Sequence, residues 1–407
     1  MHVILLAPHF PANQLKFLRG LRNVGARVTG ILDCAPQQVP SVVKDLLHDA
    51  EFVQNVTDDR QVEAAVRRVQ ARGPWVHHLE ATVEAHVLCA ARVRERTGIP
   101  GTPSAVIERC RDKIAMKAFL MEQGFPCARQ FAVSSPEEAR KAAADLGLPV
   151  ILKPRDGAGA AGTYKITDAD SLEQAIAESG LRHGASLTME EFLTGHEGFY
   201  DTLTVGGQTV FDTVCHYYPN VLPAMRTRGV NPFVAMTNRV DAEGYQELRA
   251  FGRRVNTAMG IDTSATHMEW FFGPQGLKFS EIGARPPGVC MWDVYAACNG
   301  FDLYTEWARA VCWGDVHHAP SRQYAGALLA IRPDQDGRIR GYSGVDDVQR
   351  RYGAHIIDAH LPPEGAATQP VSAGFRANAW LMLRHEDFDG LKHMAVDIGQ
   401  RLRCFAG

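Results

Sequence analysis

The first hundred residues alternate short apolar runs with helical stripes, and this alternation restricts the fold more than any other feature of the chain. Residues 3–7 form an apolar run closed by Pro8-His9-Phe10-Pro11, which reads as a buried strand. Phe17, Leu18, Leu21 and Val24 then recur at helical spacing and end at Gly25. A second strand is expected at residues 28–32 and another at 75–79, followed by a helical pattern through Val87, Ala90 and Val93. Strands that alternate with helices bury both faces of a parallel sheet, so the expected fold class is α/β with an N-terminal doubly wound domain over residues 1–105.

Further along, residues 105–125 read as one helical stretch broken at Gly124-Phe125-Pro126. Ser135-Pro136-Glu137-Glu138 is a capped helix start, and Gly147 is its stop signal. A short strand at 149–154 delivers Lys153 at its far end, a glycine-rich run follows, and Tyr164-Lys165-Ile166 resumes a strand. A second capped helix is expected from Asp170 to near Gly180, a strand at 187–193 and an amphipathic helix at 245–259. Strands at about 265–272 and 277–282 flank Gly273-Pro274-Gln275-Gly276. From Tyr324 onward short strands and a last helix near 386–403 suggest a small closing domain.

A formal net charge of -3 over 407 residues gives no broad field for nucleic acid or an anionic membrane. No run of about 18 uninterrupted apolar residues is present, so no membrane span is expected. The nine cysteines include no Cys-x-x-Cys pair, which argues against a zinc or dithiol motif and for a reducing compartment. The short apolar start ends in Pro8 and lacks a signal peptide's basic segment, so a cytoplasmic location is expected.

Three elements carry chemistry. In the first, Gly157, Gly159 and Gly162 can bring backbone N–H groups against phosphate oxygens without a side-chain clash, and Lys153 adds a charge beside them. Lys precedes the glycines, so this is not a Walker A loop. The second is Glu190-Glu191-Phe192-Leu193 with Glu197, where a carboxylate could accept from ribose hydroxyls and backbone groups near Glu190 and Phe192 could read an adenine edge. The third is the hairpin. A three-residue turn with left-handed Gly276 pairs Gly273 with Leu277 and sets Glu269 opposite Glu281. Facing carboxylates repel by up to about 1 kcal/mol, and a divalent cation between them removes the conflict. His267 shares their face. Arg285, four residues after Glu281, sits on a turn ending in Pro286-Pro287-Gly288, where a planar guanidinium suits an acyl phosphate or a developing oxyanion. Taken singly, each element also fits a solvated surface feature.

In order and spacing these pieces resemble the ATP-grasp superfamily across nearly the whole chain. Glu80, the turn at 97–101 and Arg111-Asp112-Lys113 look like that family's entry to its nucleotide domain. The resemblance implies that Lys113 and Lys153 bind phosphate. It implies that Glu190, Phe192 and Glu197 hold adenine and ribose, that Glu269 and Glu281 hold Mg²⁺, and that Arg285 is catalytic. It also implies a two-part ATP-grasp α+β domain over 106–318, with a glycine-loop lid at about 115–185, and a small C-terminal domain over 319–407. Gly283 stands where the family often has Asn, and Ala160 and Ala161 stand where its glycine loop often carries Ser.

The form Glu281-Ile282-Gly283-Ala284-Arg285-Pro286-Pro287-Gly288 looks most like the carboxylate–amine ligases, including L-amino acid ligases. The implied activity joins a small-molecule carboxylate to an amine, with ATP and Mg²⁺ as cofactors and release of ADP and phosphate. A biotin-carboxylase-like enzyme acting on bicarbonate or formate is the alternative, and a non-catalytic nucleotide-binding protein is a third. Arg226, Arg228 and His267 are the candidate substrate residues, and a homodimer is left open.

Overall fold

The computed structural model describes residues 1–156 and 162–407. Its first unit is a four-stranded parallel sheet, in the order Asp49–Phe52, Arg27–Leu32, His2–Leu6, His78–Glu80. All five residues of His2–Leu6 are buried, as a strand covered on both faces requires. Val3 and Leu5 pack with Phe17, Leu18 and Leu21 of the helix Gln14–Asn23. Ile4 and Leu6 face the other way, against Val62, Val66 and Val93 of the helices Asp59–Arg72 and Val87–Thr97. The sheet is therefore wound on both sides.

Two readings shift here. The strand expected at 75–79 pairs only as His78–Glu80, with Val3, Ile4 and Leu5 opposite, and Trp75 is solvent-exposed. Asp49–Phe52 was not foreseen, because its Asp-Ala-Glu-Phe carries no apolar period.

The helical stretch at 105–125 is two helices, Ser104–Arg111 and Lys113–Glu122. Asp112 lies between them in extended conformation and caps the second, accepting from the Ile114 and Ala115 amides. Both capped helices expected downstream are present; Ser135 caps the first, and the second starts earlier than expected, with Asp168 as its N-cap and Asp170 inside its first turn.

A second, four-stranded sheet orders Gln130–Val133, Leu187–Glu191, Val150–Pro154 and Tyr164–Ile166. The largest sheet has eight strands and is antiparallel throughout. Its order is Gly276–Gly283, Ser264–Gly273, His196–Val205, Gln208–Tyr218, Phe233–Met236, Ala325–Ile331, Ala379–His385 and Ile356–His360. Residues on both sides of position 318 thus share one continuous sheet. The helix Glu243–Met259 lies close on it: a Cβ at Gly252 would stand 2.3 Å from the Tyr200 ring, so only glycine fits there.

The hairpin register differs from expectation in detail but not in consequence. Gly276 is left-handed (φ +74°), yet Gly273 pairs with Gly276, not Leu277. That one-residue change should have separated the two acids. Ser280 is an extra, bulged residue between the pairs Trp270–Phe279 and Glu269–Glu281, and it restores the facing arrangement.

Candidate active site

A cavity of about 970 Å³ lies between the four-stranded sheet at 130–191 and the large antiparallel sheet. Lys153, from the end of its strand, and Glu190 and Phe192 line one side. Glu197, His267, Glu269 and Glu281, from three adjacent strands, line the other. Lys113, Arg226 and Arg285 complete it. Gly157 and Gly159, with Ala160 and Ala161, lie outside the described residues, so the glycine run is represented by Gly162, which is left-handed (φ +64°).

Arg228 does not reach the cavity. Its guanidinium pairs with Asp336 at 2.6 Å and donates to the Pro333 carbonyl, which draws it toward the C-terminal segment. Arg226 points back across the cavity mouth and donates to the Thr163 carbonyl.

The cations and acids form a connected array. Glu190 Oε2 lies 2.6 Å from Lys117 Nζ and 3.0 Å from Lys153 Nζ. Burial alone would raise the Glu190 carboxyl, but Lys117 and Lys153 overcome it and hold it at about 2. Lys153 is affected in the opposite sense: burial would lower it, while Glu190 and Glu281 raise it, so it stays charged. Glu281 Oε2 meets Lys113 Nζ at 3.2 Å. Glu197 is pushed up to about 8, by burial and then by Glu269. Three carboxylates thus crowd one wall, with the last left protonated at neutral pH.

Among the described residues no group of three or more His, Cys, Asp or Glu side chains is arranged to hold a metal. Glu269 and Glu281 still offer a facing pair of hard oxygen donors, which fits Mg²⁺ completed by phosphate oxygens. His267 is oriented by Asp201, with Nδ1 2.7 Å from Oδ1. Burial would lower the imidazole, but Asp201 carries it to about 9. Asp201 itself accepts from the Tyr295 hydroxyl at 2.6 Å.

Arg285 is fixed by two contacts. Nε donates to Glu84 Oε2 at 2.6 Å, and a terminal nitrogen donates to the Pro286 carbonyl at 2.7 Å. Glu84 comes from the N-terminal unit; its carboxylate also lies 3.5 Å from Arg111, whose guanidinium donates to the Glu84 carbonyl. Gly283 makes room for it: a Cβ there would stand 3.3 Å from Glu84 Oε2. Just beyond the proline turn, Val289 (φ 48°) and Cys290 (φ 57°) are both left-handed, a conformation costly for a β-branched residue and concentrated at functional sites.

Sequence reading missed Lys117, Glu84 and Asp201. Lys117 had a signal: it falls four residues after Lys113, on the helix face that buries Met116 and Leu120. Glu84 had none, since its partner lies 201 residues away.

His216 sits behind this wall, bonded to His196 at 2.9 Å and to the Tyr245 hydroxyl at 2.9 Å. Burial, then His196, lowers it to about 3. The unfolded chain takes up this proton near pH 6.5, so stability is complete above that value and is lost as pH falls toward 3. The expected loss at pH 5 is on the order of 2 kcal/mol. Urea denaturation at several pH values measures it, and His216→Phe should flatten the slope.

Residues 118–300 match the ATP-grasp domain family. The chain thus carries an ATP-grasp domain and resembles the carboxylate–amine ligase branch of that superfamily. It is 28% identical over 243 residues to the L-arginine-specific L-amino acid ligase of Bacillus subtilis, a match covering 58% of each chain. It is 30% identical over 165 residues to the N-terminal section of the carbamoyl phosphate synthase large chain of Methanopyrus kandleri, covering 40% of this chain and 29% of that one. The alignments thus span less than two thirds of the length of each of these relatives. The L-amino acid ligase of Bacillus licheniformis has a similar fold, with a TM-score of 0.77 at 16% identity over 100% of this chain and 98% of that one. No helix among the described residues is long and apolar enough to cross a membrane.

Proposed function

We propose that the protein is an ATP-dependent carboxylate–amine ligase that forms an amide or peptide bond through an acyl phosphate and releases ADP and phosphate. The observation that carries this reading is the facing pair Glu269–Glu281 in one cavity with Lys113, Lys153 and Arg285. In this reading Lys113 and Lys153 neutralise the terminal phosphates of ATP, and Phe192 and the backbone beside it receive the adenine. Glu190 keeps Lys153 charged and directed, and Glu197, protonated, offers a donor as well as an acceptor. Glu269 and Glu281 would hold Mg²⁺, which when bound screens the phosphate charge. Arg285 stabilises the oxyanion as the amine attacks. The likeness to L-amino acid ligases supports an amino acid as the carboxylate, with Arg226 and His267 as its neighbours. The units 1–105, 106–318 and 319–407 are kept as the working domains of this proposal.

The test is ADP release across a panel of carboxylates and amines, with hydroxylamine present. The true carboxylate supplied without its amine should give ADP and a hydroxamate. AMP as product would overturn the reading. ADP stimulated by bicarbonate, without any hydroxamate, would favour the second reading, which the match to carbamoyl phosphate synthase supports. Absence of nucleotide turnover with every substrate would favour a binding protein.

Glu281→Gln should raise the Mg²⁺ concentration needed for half-maximal activity. It relieves the facing repulsion but also removes the carboxylate that buried Lys113 meets at 3.2 Å, so the metal-free protein should melt lower. Mg²⁺ titration of turnover, beside a melting curve in EDTA, reads both. A Glu269→Gln/Glu281→Gln double variant with unchanged Mg²⁺ dependence would sink the assignment.

A further inference from the structure

Residues 361–378 join the neighbouring antiparallel strands Ile356–His360 and Ala379–His385. About two to five residues can make such a connection, and loops beyond about fifteen are usually functional. The second half of this loop is closed at its base and pinned from inside. Asn378, 5% exposed, accepts from the Gln369 amide at 2.9 Å and donates to the Gln369 carbonyl at 3.0 Å. Arg332, 6% exposed, donates to the Val371 carbonyl at 2.8 Å and to the Ala224 carbonyl at 3.3 Å. Arg376 donates to the Cys290 sulfur, one residue beyond Val289. The loop is therefore anchored to two segments that line the large cavity, and it presents Gly374 and Phe375 to that same cavity.

Phe375 ends a series of rings that starts beside the facing glutamates. Phe199 pairs with Glu269, which pairs with Glu281, so the three side chains share one face of the sheet. Between ring centres, His267 lies 4.7 Å from Phe199, Phe199 5.1 Å from Tyr217, and Tyr217 6.2 Å from Phe375. Val289 and Met291 line the cavity too and pack in this same apolar cluster. Among the described residues, the glutamates that line the cavity are all committed elsewhere. Glu190 holds Lys117 and Lys153, Glu191 pairs with Arg129 at 3.0 Å, Glu197 is protonated, and Glu269 and Glu281 face each other. The fixed charges flanking the ring series, Arg285 and Arg376, are cations. An apolar group gains by burial at this end, whereas a second cation would be buried without a partner.

We propose that Phe375 determines specificity: the side group of the activated carboxylic acid runs along these rings to Phe375, where an uncharged apolar group is accepted and a basic one refused. The inference rests on the ligase reading, since the carboxyl group to be phosphorylated must lie beside Glu269 and Glu281. Phe199 shares their row, so the rest of that substrate is directed along Phe199 and Tyr217. The loop that carries Phe375 comes from the C-terminal segment, which gives that segment a part in choosing the substrate. It also sets this chain apart from the L-arginine-specific relative of Bacillus subtilis.

The test is hydroxamate formation by the full chain with ATP, Mg²⁺ and hydroxylamine. The acids supplied are L-alanine, L-leucine, L-phenylalanine, L-lysine and L-arginine, each beside the matching acid without its α-amino group. In the parent, kcat/KM for the best apolar acid should exceed that for either basic acid by about tenfold or more. Phe375→Ala should raise KM for that apolar acid by about tenfold while KM for ATP stays within about twofold. A merely structural role would move both constants together. Phe375→Leu should restore most of the loss. Phe375→Glu supplies the missing carboxylate and should raise kcat/KM for a basic acid by about tenfold. If Phe375→Ala and Phe375→Glu do not fold, the parent's ranking decides. A parent that prefers basic acids would overturn the proposal and leave the ligase reading standing. So would a folded Phe375→Ala whose constants for every acid match the parent's. A parent that forms neither ADP nor hydroxamate with any of these acids would remove the ligase reading and this proposal with it.

Discussion

Arg285→Ala is expected to lower turnover by about 100–1,000-fold, the usual loss when one donor to a developing oxyanion is removed. The side chain is partly buried and fixed at both ends of its guanidinium, by Glu84 and by the Pro286 carbonyl. Its remaining donors face the cavity that Glu269 and Glu281 line. Little rotational freedom is left to lose when a transition state forms, and such preorganisation makes one donor count for several kcal/mol. Arg285→Lys should recover little, because an ammonium cannot hold Glu84 and present a planar fork at once. The effect should fall on kcat more than on KM for ATP, since the nucleotide contacts assigned to Lys113 and Lys153 are untouched. Steady-state ADP release under saturating ATP checks this. A kcat within tenfold of the parent, with a raised KM, would make Arg285 a binding residue only.

Glu84→Gln separates position from charge. The amide keeps an oxygen that can accept from Nε but loses the ion pair. Its loss should be smaller than that of Arg285→Ala and of the same kind.

Most of the fold was legible because its signals are local. The buried run read at 3–7, the capped start at Ser135, the second capped helix placed within two residues of its true start, and the Gly276 turn each depend on residues within a few positions. The pairing of Glu269 with Glu281 was also legible, though through two offsetting errors: the turn is shorter than expected, and Ser280 bulges. A bulge leaves no mark in composition, so only the outcome could be foreseen. What the sequence withheld was long-range. Asp112 reads as part of a continuous helix until its capping bonds are seen. The joining of Ala325–Ile331 to Phe233–Met236 reflects pairing over about ninety residues of intervening chain, which no apolar period encodes. Arg228 looked equivalent to Arg226 by spacing, and contacts with Asp336 and the Pro333 carbonyl, more than a hundred residues away, distinguish it.

The second large effect concerns Glu190, and its sign depends on which partner is removed. Lys117 is 1% exposed and Glu190 is 4% exposed, so neither charge has water to fall back on. Burial already lowers Lys117, and Glu190 is what opposes this. Glu190→Gln therefore leaves a buried ammonium with no carboxylate at 2.6 Å, and breaking such a pair from one side typically costs about 3–5 kcal/mol. Glu190→Gln should unfold at markedly lower denaturant, or Lys117 should give up its proton. Lys153→Ala breaks the same cluster from the other side and should behave differently. Glu190 keeps Lys117, and the cluster goes from two cations on one acid to one, which brings that pair into balance. The expected stability loss is below about 1.5 kcal/mol, the range for a hydrogen bond outside a buried pair. Turnover is the property that should fail, since the ammonium lost is the one reaching into the cavity. Parallel urea melts and ADP-release assays on the two variants resolve this. If Lys153→Ala melted as early as Glu190→Gln while retaining activity, Lys153 would be a structural cation and not a phosphate ligand.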